Sequence, residues 1–180
     1  NINGEGEGVK VIAYQMPKNP REEWKSEVLD NSMHATHNFD TDWMLLAGKE
    51  GIRQLLVQEN QRVSGFLWAA KAGEALYKKE RPLMPGPVLE ASPGVGEIRS
   101  GSWPSGVRFD ATIEPMHGNQ LVVQDYLGGD KGFNRIVLTD KLNEGHALAC
   151  GDVLGVKSSQ IVVGFRGNRN NPKPVGIRLW

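Results

Sequence analysis

The four histidines of this chain fall in three short segments rich in turn residues. Residues 33–40 carry His34 and His37, residues 114–120 carry His117, and residues 144–148 carry His146. Imidazole ligates transition metals and also exchanges a proton near neutral pH without help from its surroundings. These segments therefore read as parts of a metal centre or an acid–base site. Glu114, three residues before His117, supplies a carboxylate that could act as ligand or base.

An internal repeat is what would bring such segments together. Shifted by 109 residues, Ile12-Ala13-Tyr14-Gln15 falls on Leu121-Val122-Val123-Gln124, Trp24 on Phe133, and Val28-Leu29 on Val137-Leu138. After a three-residue length difference, His34-Ala35 falls on His146-Ala147 and Asp40 on Asp152. A repeat that returns an imidazole to the same place can build one site from several units.

The elements that must position these residues are short apolar or alternating runs bounded by Gly, Asp, Asn and Pro, which are strand and turn signals. Strands are expected near 9–16, 24–29, 34–39, 43–47, 52–57, 62–68, 96–101, 107–113, 120–126, 133–138, 146–150, 160–165 and 175–180. The expectation is an all-β chain of propeller-type four-stranded blades. The chain would hold the two outer strands of one blade, two whole blades starting near His34 and Val95, and three strands of a fourth from His146. That is a partial propeller of about three and a fraction blades in a single domain, 1–180. One segment breaks the pattern. Ala69 to Glu80 is rich in helix formers and Pro82 would stop it, so 69–93 reads as one short inserted helix followed by a Pro-rich connector.

In a four-stranded blade the start of the innermost strand and the turn between the second and third strands share one face. His34 and His146 sit at such starts and His117 in such a turn, so three of the four imidazoles are directed to one end of a central channel. His34 and His37, three apart on a strand, point to opposite faces unless a bulge intervenes.

Composition narrows the function classes. Twenty-one Lys and Arg against 21 Asp and Glu leave no formal net charge, which removes the usual electrostatic argument for nucleic acid or an anionic membrane. The single cysteine, Cys150, forms no intrachain disulfide and reads as a core residue. No apolar run approaches the ~20 residues of a membrane helix, and the start of the chain carries no signal pattern. A soluble chain is expected, its compartment left open between secreted, periplasmic and other locations.

The stretches Trp24 to Asp40, Gly48 to Ile52, Glu114 to Val123 and His146 to Val163 resemble the β-propeller of aldos-2-ulose dehydratase and related bacterial repeat proteins of the FG-GAP/VCBS type. All four histidines fall where that family pattern carries histidine. The resemblance implies a hydro-lyase that eliminates water from a keto-sugar such as 1,5-anhydrofructose, with zinc or another divalent metal in the propeller channel. It makes His34, His117 and His146 the metal candidates, His37 and Glu114 the catalytic candidates, and Asn119 and Trp103 the sugar-binding candidates. The sequence departs from the family at Asp152 to Lys157, where most oxygen ligands of a calcium-holding turn are missing, so calcium is not expected there.

Blander readings stand beside these. Asp40 and Asp152 could close turns, Trp103 and Trp43 could pack in the core, and Gly118-Asn119 is an ordinary turn pair. The competing function is a non-catalytic propeller module that binds a glycan or a protein partner. Open strand edges also point to another copy, or to other propeller chains, completing the fold.

Overall fold

The computed structural model describes residues 8–33, 39–46, 49–58, 63–69, 78–79, 95–115, 117–126, 133–167 and 175–180. Among these the chain is all-β and every strand pairing is antiparallel. β1 (Val9–Gln15) pairs with β2 (Lys25–Met33). A four-stranded sheet follows, in chain order: β3 (Phe39–Leu46), β4 (Lys49–Gln58), β5 (Val63–Ala69) and β6 (Lys78–Lys79). A second holds β7 (Glu97–Ser102), β8 (Arg108–Glu114), β9 (Gln120–Tyr126) and β10 (Phe133–Thr139). The last is three-stranded: β11 (Gly145–Gly151), β12 (Gln160–Phe165) and β13 (Gly176–Leu179). The first strands of the three larger sheets are neighbours, β7 lying beside both β3 and β11.

Two expectations are corrected. Ala69 closes β5, and Lys78 and Lys79 pair with Leu67 and Phe66, so both ends of the expected helix are strand. Helix propensity is worth only tenths of a kcal/mol per residue, and pairing onto a sheet edge overrides it. Residues 70–77 and 80–94 lie outside the described residues. The break expected between 39 and 43 is also absent: Asp40 sits inside the continuous strand β3, and its Oδ2 accepts the Ser100 backbone N–H from β7 at 2.8 Å. That bond ties the two sheets together where a turn was expected. The part of the expected first strand at 34–38 lies outside the described residues.

The β7–β10 sheet is covered on both faces. On one side Phe109, Ala111, Ile113, Leu121 and Val123 pack against Leu142, Leu148, Ile161 and Val163, forming the apolar core with the β11–β13 sheet. Alternation along β8 sends Thr112 and Glu114 to the other side, and both are buried. Each fully buried aliphatic side chain contributes roughly 1.5–3 kcal/mol, so this pair of sheets carries most of the described core. It is the frame on which the histidine segments are mounted. Among the described residues no helix is long and apolar enough to cross a membrane.

Candidate functional site

The β8–β9 turn is stitched to the approach of β11 by backbone bonds. Leu142 N–H donates to Asn119 O at 2.8 Å and Gly145 N–H to Gly118 O at 2.9 Å. Asn119 Nδ2 adds a bond to Asp140 O at 2.9 Å. Glycine is required at 118, because a Cβ there would run into the Glu114 carbonyl. Gly145 is nearly as confined, its Cβ position lying 2.9 Å from Ile113 Cγ2.

Irregular backbone then aims the two imidazoles. His117 has φ of 52°, in the left-handed region that an L-residue enters at some cost, and Glu144 has φ of 50°. The β11–β12 register shifts between Gly145 and Ala147, so His146 is the extra residue of a β-bulge. A bulge turns a side chain out of the regular alternation. The outcome is contact between the rings: His117 Nδ1 and His146 Nδ1 lie 2.8 Å apart, with ring centroids at 4.4 Å and planes at 63°. His117 is half-buried and His146 exposed.

A separation of 2.8 Å between two ring nitrogens is a hydrogen bond, so one Nδ1 carries the proton and the other accepts it. Two imidazole ligands at ~2.0–2.1 Å from a tetrahedral zinc have nitrogens about 3.3 Å apart. Exchanging the shared proton for a metal ion requires the nitrogens to part by about half an ångström and both rings to turn so that their lone pairs converge on one point. The pair fits two ligands of such a centre. Among the described residues no group of three or more His, Cys, Asp or Glu is placed to hold a metal. The other expected ligand, His34, and the catalytic candidate His37 lie outside the described residues.

The remaining candidates are placed elsewhere. Glu114 is 1% exposed. Its Oε1 accepts Thr112 Oγ1 at 2.6 Å and Gln124 Nε2 at 3.3 Å, and its Oε2 accepts Arg135 Nη2 at 2.7 Å. Arg135 Nη2 also donates to Gln120 Oε1 at 2.8 Å. The carboxylate is thus the centre of a buried ion-pair network and makes no bond to the imidazole pair. Trp103 follows the last residue of β7, at the opposite end of the sheet from His117; its Nε1 donates to Asp125 Oδ1 at 3.0 Å and its ring lies 4.6 Å from Phe109. Asn119 adjoins His117, with its amide turned to Asp140. The Trp43 side chain lies outside the described residues.

Asp152 accepts the backbone N–H groups of Val156 and Lys157, both at 2.8 Å, so its carboxylate folds its own loop. Cys150 packs against the core, and burial pushes its thiol up to about 12, as a core residue requires.

One carboxylate was missed from sequence. Asp110 has its pKa raised to about 6, first by burial and least by Asp40, against the lowering effects of the Ser100 hydroxyl and Arg108. Ser100 Oγ donates to Asp110 Oδ1 at 2.7 Å while its backbone N–H donates to Asp40, so one serine links two carboxylates across two sheets. An aspartate in the middle of an expected strand, where this residue type is depleted, was the signal available.

Comparison of the chain with protein-family models and with curated proteins finds no match.

Proposed function

We propose that the chain is a piece of a β-propeller-type assembly and that the His117–His146 pair is the working centre of a site that eliminates water from a keto-sugar. The 2.8 Å Nδ1 to Nδ1 contact carries this reading. It joins two histidines 29 residues apart in sequence through a strained turn and a bulge, where a packing role would need neither. The blade reading is supported by sheets of two, four, four and three strands that each follow chain order, with the first strands of the three larger sheets adjacent. Among the described residues β1 and β13 each pair with a strand on one side alone, which supports completion by a second copy or by other propeller chains.

In such an elimination a base removes the proton beside the carbonyl, the charge moves onto the carbonyl oxygen, and the β C–O bond breaks as the leaving hydroxyl takes a proton to depart as water. The two Nδ1 atoms share one proton with each other, so the base falls to a further group, for which the sequence candidate is His37. A bound zinc or similar divalent ion, held by His117 and His146, would stabilise the oxygen charge. The test is to incubate zinc-loaded protein with 1,5-anhydrofructose and related keto-sugars and to follow the ultraviolet absorbance of an enone. Chelator-sensitive turnover lost in His146→Ala is expected; no turnover across the panel from a zinc-loaded, fully assembled protein would overturn the reading.

A second reading, a non-catalytic module that binds a glycan or a protein partner, is favoured by one observation. Glu114 and Trp103, candidates for base and sugar platform, are both engaged in the fold away from the imidazoles.

A further inference from the structure

Strand β7 is tied to its neighbours on two sides by two kinds of group. Toward the β11–β13 sheet the groups are neutral: Ser159 N–H donates to Ser102 O at 2.8 Å, and Ser102 N–H donates to Ser159 Oγ at 3.0 Å. Toward the β3–β6 sheet they are carboxylates. Ser100 gives its backbone N–H to Asp40 Oδ2 at 2.8 Å and its hydroxyl to Asp110 Oδ1 at 2.7 Å, so a single serine holds two acids at the joint between two sheets.

The groups around Asp110 come from every strand packed against it. Ser100 on β7 and Gln124 on β9 lie opposite it and are neutral, and Asp40 of β3 adds a negative charge. Arg108, two residues earlier on β8, adds a positive one from an exposed position. The Cys150 thiol of β11 feels both aspartates as well as Arg99 and Arg108, and its Sγ donates to Arg99 O at 3.8 Å. Burial outweighs the serine hydroxyl and Arg108, so a charge on Asp110 is costly while the joint is closed. Opening the joint admits water to the carboxylate and removes that cost.

We infer that the Asp40–Ser100–Asp110 link is a proton-operated latch: the β3–β6 and β7–β10 sheets are held together most firmly while Asp110 is neutral, and the joint opens locally once Asp110 ionises. The direction follows from linkage. Asp110 titrates at about 6 in the folded protein against 3.8 ordinarily, so its contribution to closure is full below the lower value and is lost as pH rises through the higher one. From about pH 5 to about pH 7.5 those two values raise the open population about tenfold. β3 is the strand into which the His34 and His37 segment leads, so opening frees the strand nearest in sequence to those two imidazoles. The inference stands on groups separate from the His117–His146 pair and does not depend on the lyase reading.

Amide hydrogen exchange followed by NMR on the intact chain, corrected for the intrinsic pH dependence of exchange, tests it. Ser100 N–H should lose about tenfold in protection from about pH 5 to about pH 7.5. Ser102 and Ser159 N–H, tied by neutral groups on the other side of β7, should keep theirs and serve as internal controls. In Asp110→Asn, which holds the neutral form at every pH, Ser100 protection should stay flat across the range. A Ser100 protection that changes no more than that of Ser102 overturns the inference, and this comparison needs no variant. So does a tenfold fall that persists in folded Asp110→Asn, since another group would then be the one that titrates.

Discussion

The repeat places one sequence pattern in two settings, β1–β2 and β9–β10. Leu121 and Val123 of β9 are at most 1% exposed, whereas the matched Ile12 and Tyr14 of β1 are 39% and 60% exposed. Pairing differs as well. Ile12 lies opposite Val28, while of their counterparts Val137 lies opposite Val122, one residue on from Leu121. Both stretches are strands, so alternation and turn chemistry determine the secondary structure. Burial is decided by what covers the strand: β9 has β8 on one edge, β10 on the other and the β11–β13 sheet over one face, whereas among the described residues β1 is paired with β2 alone. The same difference separates the two kinds of candidate group. Glu114 at the buried end of β8 became architecture, and the imidazoles on the irregular connections beyond it remained accessible.

The largest expected effect lies in the buried network. Glu114→Ala leaves Arg135 without its carboxylate and should cost about 3–5 kcal/mol of stability by urea denaturation. A loss under about 1 kcal/mol would mean that the network is solvated and the contrast between the regions overstated. Next comes the matched pair of truncations. Leu121→Ala should cost about 2–5 kcal/mol and Ile12→Ala no more than about 1 kcal/mol, both read from denaturation midpoints. Equal costs would show that β1 is covered in solution, which sedimentation would then trace to association.

Asp110 gives a pH-dependent effect of intermediate size. Its folded pKa of about 6 lies above the usual 3.8, so folding favours the protonated carboxyl. Its contribution is fully present below the lower value and is lost as pH rises through the higher one. Asp110→Asn should therefore remove a fall in stability between those two values, on the order of 2 kcal/mol, measured by denaturation across that range. An unchanged pH profile would show that Asp110 does not titrate with a raised pKa in the folded protein. The smallest stability effect is expected at His117→Ala, within about 1 kcal/mol, because a turn imidazole contributes little packing.

Much of the strand plan was legible because apolar runs end at residues such as Gly106, Gly118 and Asn119, which mark turns whatever the tertiary context. The 69–80 segment misled at its ends because Ala and Lys favour helix only weakly, and the pairing of Lys78 and Lys79 with β5 is a long-range event. The sequence marked the His117 and His146 segments as parts of one site, whereas their Nδ1 to Nδ1 geometry depends on a bulge and a left-handed residue that no spacing reveals. Glu114 was misleading because closeness in sequence to His117 says nothing of which side of the sheet its carboxylate occupies. The serine link between Asp40 and Asp110 joins residues far apart in the chain and had no local signature beyond a mid-strand aspartate.

Cobalt(II) titration, followed by visible absorption and calorimetry on the intact chain and on His117→Ala and His146→Ala, tests the central claim most directly. The pair is predicted to bind close to one equivalent, with ligand-field bands of nitrogen coordination and proton release as the metal replaces the shared proton. Each single variant should weaken binding by at least about tenfold while keeping its melting temperature. Metal-free folding with no cobalt bands, or cobalt binding that both variants leave unchanged, would contradict the assignment of His117 and His146 as a metal-holding site.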